Sequence, residues 1–276
     1  MKSVVFHRGA LGDVVLIWPA LRALRAGGWD VEFVSDGEKA RLTARELGVR
    51  AVEIERAEFN ALWSEGGAVE AEPGPSLVIS TLAEERSVWA RRTRERYPRA
   101  ELVLVPGPLD RAAALGLEAR FGGPVEVAVG EAGPGAAVVL HVGAGSGEKR
   151  WPMERWTALA RAIDGPASVI AGEVEAERFT KEERAVFAGI DGRYIRSLTD
   201  LAEELRRAAP LVCADSGPGH LAAQMGRRVV SLFGPTDPER WAPIGPAVKV
   251  IAPQRPAPMG WLPVERVMEE ISPQRH

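Results

Sequence analysis

Short runs of Val, Ile and Leu recur along the first half of the chain: SVVFH (3–7), VEFVS (31–35), AVEI (51–54), SLVIS (76–80) and LVLVP (102–106). Each has the length of a strand, and the near-continuous apolar character is that of strands covered on both faces. Between many of them the apolar positions change to helical spacing. In the stretch around IWPALRALRAGG, Leu16, Ile17, Ala20, Leu21 and Leu24 fall on one stripe, and Gly27-Gly28 stop it. This alternation predicts an α/β, doubly wound parallel sheet.

The pattern breaks at GEAGPGAA (130–137), a Gly/Pro-rich stretch that reads as a linker. It then restarts. Strands are predicted at AVVLHVG (137–143), ASVIAG (167–172), YIRSL (194–198), PLVCAD (210–215) and RVVSLFG (228–234), and helices at 153–163, around 175–188, at 199–208 and at 219–225. The prediction is two α/β domains, 1–131 and 136–276, with the last helix free to pack back on the first domain. In such sheets ligands bind beyond the carboxyl ends of the strands, and that rule selects the loops that matter.

Four loops qualify. HRGALGD (7–13) follows the first strand and opens the first helix, but Gly9 and Gly12 stand three apart and miss the G-x-G-x-x-G dinucleotide spacing. Asp13 has two readings here: a first-turn acid that stabilises the helix by roughly 0.5–2 kcal/mol, or a general base. HVGAGSGEKRWP (141–152) offers glycines for close backbone approach, the Ser146 hydroxyl and the Lys149 charge, which is phosphate chemistry outside the P-loop pattern. A flexible surface loop is the alternative. DSGPGH (215–220) joins Asp215, Ser216, Gly217, Pro218 and Gly219 to His220 at a helix start, where unpaired N–H groups favour an anion. A capped helix with a structural histidine fits the same residues. Ser216 and His220 do not make a hydrolase pair, since neither G-x-S-x-G nor an orienting acid is present. FGPTDPERW (233–241) puts Thr236 and Asp237 at a strand end between two prolines, which taken alone reads first as a structural turn.

Composition narrows the classes. A net charge of −3 gives no electrostatic footprint for nucleic acid. A lone cysteine, Cys213, inside LVCAD, excludes an internal disulfide framework and reads as an inert core residue. No D-x-D pair occurs, and the histidines at 7, 141, 220 and 276 are scattered, so no metal site is expected. No run reaches the roughly 20 apolar residues of a membrane span, and the N-terminus lacks a signal-peptide pattern, so a cytoplasmic protein is expected.

Three blocks carry a resemblance. GALGDVVLIWPALRALR, GSGEKRWPMERWTALA and CADSGPGHLAAQMGRRVVSLFGPTDPERWAP are similar, in order, to the signature segments of glycosyltransferase family 9, the ADP-heptose:lipopolysaccharide heptosyltransferases. The segment VISTLAEERSVWA is similar more loosely. The resemblance implies a GT-B fold, two Rossmann-like domains facing each other across a cleft, with the acceptor on the N-terminal one. It implies an inverting, metal-independent sugar transfer without a cofactor, from a nucleotide-sugar co-substrate such as ADP-heptose to a glycolipid or other anionic glycan. By the match of motifs, Asp13 corresponds to the catalytic base, Lys149 to the lysine that meets donor phosphate, and Asp215, Gly217 and His220 to the donor turn. Ser146, Ser216, Gly219 and Thr236 complete the expected donor site. The N-terminal half is short for the family, and Gly143-Ala144 stand where members often carry proline or threonine. A noncatalytic nucleotide-sugar-binding protein and a sugar-nucleotide epimerase are the rival readings.

RSVWARRTRERYPR (86–99) holds six arginines. It reads either as a solvated helix face or, through Arg86, Arg91, Arg92 and Arg94, as a contact for an anionic acceptor or the headgroups of the cytoplasmic membrane face. Trp89 within it reads as a core anchor rather than an interfacial one.

Overall fold

The computed structural model describes residues 1–66, 69–131, 133 and 136–271. The chain divides into two compact units, Met1–Glu126 and Val127–His276. Part of the Gly/Pro-rich stretch at 130–137, and His276, lie outside the described residues.

The first unit is built on β1 (Lys2–Phe6), β2 (Asp30–Ser35), β3 (Arg50–Glu53), β4 (Leu77–Ser80) and β5 (Glu101–Leu104). They form one parallel sheet in the order β3-β2-β1-β4-β5. The order reverses beside β1, so the loops after β1 and β4 flank a topological switch point. β1 and β4 are buried along nearly their whole length, as their unbroken apolar runs require. Trp89 is buried in this core, edge-on to Phe6, which also meets Phe59 edge-on.

The second unit carries β6 (Ala137–His141), β7 (Ala167–Ala171), β8 (Arg193–Tyr194), β9 (Ala208–Ala214), β10 (Val229–Leu232) and β11 (Val248–Ile251). The sheet is again parallel, ordered β11-β10-β9-β6-β7-β8. The switch point lies between β6 and β9, whose ends pair at His141 and Cys213. Trp151 and Trp156 meet edge-to-face in its core, where the last described helix, Val264–Ile271, also buries Val267 and Ile271. That helix is therefore part of the second unit's own core.

Several elements differ from the sequence expectation. The first helix is two: Leu11–Leu16 and Trp18–Ala26, parted at Ile17. Pro19 lacks an N–H and its ring crowds the carbonyl four residues back, so a single continuous helix is excluded there. The stripe Leu16, Ile17, Ala20, Leu21 and Leu24 is nevertheless fully buried. The predicted helix around 175–188 is also split, into Glu173–Arg178 and Lys181–Ala188, because Thr180 caps the second with its hydroxyl on the Glu183 N–H at 3.1 Å. The predicted strand at 194–198 shrinks to Arg193–Tyr194, since Ser197 already caps the helix Leu198–Arg206.

Helix Gly217–Gln224 lies close on β9. A Cβ on Gly219 would stand 2.8 Å from Cys213 Sγ. The thiol is fully buried, and burial pushes its pKa up to about 12. Gly219→Ala is expected to lower stability by about 1–3 kcal/mol, the usual cost of overpacking. Cys213→Ala in the same chain should recover part of that loss. A denaturant-unfolding cycle of the two single variants and the double variant checks this; strictly additive losses would separate the two residues.

Candidate functional site

The second unit gathers three loops on one carboxylate oxygen. Asp215 follows β9 directly, its N–H bonded to Leu232 O of β10 at 3.1 Å. Its Oδ2 accepts from Lys149 Nζ at 2.8 Å and from Thr236 Oγ1 at 2.9 Å. Lys149 lies on the loop after β6, and Thr236 on the loop after β10. Because β6, β9 and β10 are sheet neighbours, these loop starts are brought together by topology. The Asp215 side chain is 7% exposed, whereas that of Lys149 is 30% exposed. An ammonium has three donors, so Lys149 can hold Asp215 and still meet a phosphate oxygen.

The remaining predicted donor residues surround this pair along the chain. Ser216 begins the helix Gly217–Gln224 without a side-chain cap, its hydroxyl donating instead to Ala214 O at 3.0 Å. In the first turn the Gly219 N–H bonds the Ser216 carbonyl at 3.1 Å, and Pro218 contributes no N–H. Gly219 and His220 are buried in the first turn. Ser146 begins the short turn Gly147–Lys149, and its carbonyl accepts the Lys149 N–H at 3.3 Å. Asp237 caps the helix Pro238–Trp241 by accepting the Glu239 N–H at 2.9 Å, which is the structural role its turn suggested.

Sequence reasoning missed Glu175. This buried carboxylate accepts the Ala144 N–H at 3.2 Å and the Gly172 N–H at 3.0 Å, tying the loop after β6 to the one after β7. Beside it in the fold, buried His141 has its pKa lowered by burial, an effect that attraction to Glu175 opposes. In the sequence it stands between two other acids, Glu173 and Glu177, and nothing in the spacing sets it apart from them.

In the first unit Asp13 sits in the first turn of Leu11–Leu16, partly buried. Its Oδ2 accepts the Ala10 N–H at 2.9 Å, so the capping reading is realised in geometry. Gly9 adopts a φ of 150°, and a Cβ there would lie 2.8 Å from Asp13 Oδ2. Lys39 Nζ donates to Gly9 O at 2.6 Å and pairs with Asp36 at 2.9 Å, while Arg8 pairs with Asp36 at 3.1 Å. His7 Nε2 lies 2.9 Å from Asp13 O, and His7 Nδ1 contacts Thr81 Oγ1. A carbonyl only accepts, so Nε2 carries the ring proton and the Thr81 hydroxyl donates to Nδ1.

The arginine cluster is divided. Arg92 is buried, and its guanidinium donates to Ser64 O and Gly66 O, each at 3.1 Å. It holds a loop and so leaves the exposed set: helical spacing turns position 92 inward with Trp89 and Thr93. Arg86 and Arg91 are exposed, and Arg94 pairs with Glu85.

His7 is 3% exposed, and burial lowers its pKa to about 4, against smaller opposing effects of the Asp13 carbonyl and carboxylate. The unfolded chain therefore binds more protons between about pH 6.5 and 4. Stability from this group is whole above pH 6.5 and falls as pH drops through that window, by roughly 3 kcal/mol at its foot. Urea unfolding across pH 4–7 should show a shallower acid loss in His7→Asn than in the wild type. Parallel curves would contradict the neutral buried ring.

The family model of glycosyltransferase family 9 (heptosyltransferase) matches residues 127–259, the span that holds Lys149, Asp215 and Thr236. Lipopolysaccharide heptosyltransferase 1 of Pseudomonas aeruginosa is 37% identical over 117 residues, 39% of this chain and 32% of that protein. Its Escherichia coli K12 counterpart is 31% identical over 105 residues, 37% of this chain and 33% of that protein. These matches span about a third of the curated relatives. Among solved structures, E. coli heptosyltransferase WaaC with ADP superposes with a TM-score of 0.69 at 18% identity, over 99% of this chain and all of that one. WaaC with ADP-2-deoxy-2-fluoro heptose gives 0.65 at 18% over 98% and 99%, and E. coli ADP-heptose LPS heptosyltransferase II gives 0.66 at 19% over 98% and 97%. At these identities the likeness is one of fold, the GT-B class with its two parallel-sheet α/β domains. The match to glycosyltransferase family 9, the heptosyltransferase family, thus falls on the C-terminal unit and takes in just under half of the chain, and the fold likeness extends over nearly all of it.

Proposed function

We propose that this chain is an inverting, metal-independent glycosyltransferase that moves heptose from ADP-heptose onto an anionic lipopolysaccharide-core acceptor in the cytoplasm. The observation that carries the reading is the junction at Asp215, where Lys149, Thr236 and the start of the helix Gly217–Gln224 meet at the switch point of the second sheet. A diphosphate needs positive charge where its own charge gathers as it leaves, and this junction offers the Lys149 ammonium beside a helix N-terminus. Relatives of the same fold described with ADP and with ADP-2-deoxy-2-fluoro heptose support an ADP-linked donor.

In this reading an acceptor hydroxyl oxygen attacks the anomeric carbon, and the carbon–oxygen bond to the diphosphate breaks with its electron pair going to ADP. Asp13 takes the hydroxyl proton as the new bond forms. Lys149 and the positive end of the helix Gly217–Gln224 stabilise the departing diphosphate, the part a divalent ion plays in other transferases. Ser146, Ser216, Gly219 and His220 shape the donor side. Arg86 and Arg91, exposed on the first unit, are the proposed contacts for acceptor phosphate or for the membrane face. No described helix is long and apolar enough to cross a membrane.

Three outcomes test the reading. Lys149→Gln keeps an N–H for Asp215 but removes the charge, and should weaken ADP binding by roughly 1.5–3 kcal/mol in calorimetry. Unchanged affinity would remove Lys149 from the donor site. Asp13→Asn should lower kcat about 10²–10⁴-fold at nearly constant donor affinity, read as ADP released in the presence of heptose-deficient lipopolysaccharide. Near wild-type turnover would return Asp13 to a capping role alone. Replacing both Arg86 and Arg91 by Glu should raise the acceptor KM and leave the donor KM unchanged; wild-type acceptor kinetics would make this face merely solvated.

A further inference from the structure

The first unit contains a second arrangement that none of the family motifs accounts for. His7 and Thr81 stand at the ends of adjacent parallel strands, where Phe6 pairs with Ser80. Both are anchored by main-chain bonds across the sheet: His7 N–H to Val34 O at 3.0 Å, and Thr81 N–H to Phe6 O at 3.2 Å. The His7 ring bridges from this fixed base to the first helical turn, its Nε2–H donating to the Asp13 carbonyl and its Nδ1 accepting a hydrogen bond from the Thr81 hydroxyl.

The helix that carries Asp13 needs such support. It runs only from Leu11 to Leu16, and the Ile17 N–H that caps it goes to Val15 O. So short a helix has little stiffness of its own. Its start is held by Lys39 at the Gly9 carbonyl and by the Ala10 N–H on the Asp13 carboxylate. His7 holds it from beneath by the Asp13 main chain.

We propose that His7 and Thr81 are positioning residues for Asp13, fixing the main chain of the base so that its carboxylate stands at one place for the acceptor hydroxyl. This rests on the reading of Asp13 as the base. The device has a chemical advantage over a histidine bonded to the carboxylate itself. The ring spends its donor on the carbonyl, so it orients the acid without occupying either carboxylate oxygen. Because the ring is neutral, it also sets no full positive charge beside a group that must accept a proton. The hydroxyl of Thr81 selects the tautomer that makes this possible, in the way an outer partner fixes the ring of a working histidine.

The test uses the full chain with ADP-heptose as donor and heptose-deficient lipopolysaccharide as acceptor. Thr81→Val keeps the side-chain volume and removes the hydroxyl, whereas Thr81→Ser keeps the hydroxyl. Thr81→Val is expected to lower kcat on the order of 10–100-fold, the scale of a misplaced reacting group, with the ADP-heptose KM within about twofold of wild type. Thr81→Ser should restore most of the rate. His7→Ala should match Thr81→Val, and if it does not fold the two Thr81 variants carry the test alone. In ¹⁵N-histidine spectra the His7 ring should be the Nε2–H tautomer in wild type and Thr81→Ser, and should lose that fixed state in Thr81→Val. Asp13→Asn is run beside them. If Asp13→Asn is inactive while Thr81→Val keeps the wild-type kcat, or if Ser and Val at 81 behave alike, the positioning role is overturned and the base survives. If Asp13→Asn turns over normally, the base reading fails and takes the positioning role with it; if the wild type itself transfers nothing, the transfer reading fails as well.

Discussion

The carboxylate of Asp215 is the constraint around which the second unit is arranged. It is a buried charge, and a buried carboxylate stays ionised at modest cost only when paired and hydrogen-bonded. Lys149 and Thr236 meet that need from two other loops. One oxygen thereby fixes the ends of three neighbouring strands, β6, β9 and β10, on the side of the sheet where α/β proteins bind ligands. The pair is close to neutral as a unit, yet its cationic end is the more exposed. An approaching anion therefore meets the ammonium before it meets the acid.

The first unit solves a related problem differently. Asp13 is partly buried at a helix start and is held through its main chain and by a single N–H on one carboxylate oxygen. A lysine, a glycine with no room for a side chain and a neutral histidine surround it. Capping and the proposed base chemistry draw on the same property here, a carboxylate held at a helix N-terminus. The two roles are compatible, since the cap uses Oδ2 and proton transfer can use the other oxygen.

Much of this was legible in the sequence because strand ends carry it. The β-branched runs located the sheets, and the residues that follow them, Asp13, Lys149, Asp215 and Thr236, are the ones the fold brings to the switch points or their neighbouring strand. What was not legible depends on contacts distant in sequence. His7 and Thr81 are 74 residues apart and meet only because β1 pairs with β4. Glu175 reads as one of several surface acids until the β7 loop folds it under Ala144. Arg92 looks like its neighbours in a run of arginines, and only the helix phase and a loop carbonyl cage set it apart. The helix break at Ile17 was within reach, because Pro19 forbids what the apolar stripe alone suggests.

The central claim is that a nucleoside diphosphate seats on the Asp215 junction. Amide hydrogen exchange on the wild-type chain, with and without saturating ADP, tests it most directly, since the claim concerns main-chain amides as much as side chains. The account predicts slowed exchange in the segments around 143–150 and 215–220, with little change at the arginine-rich helix Val88–Arg96 of the first unit. Protection absent from both segments while ADP is bound would contradict it.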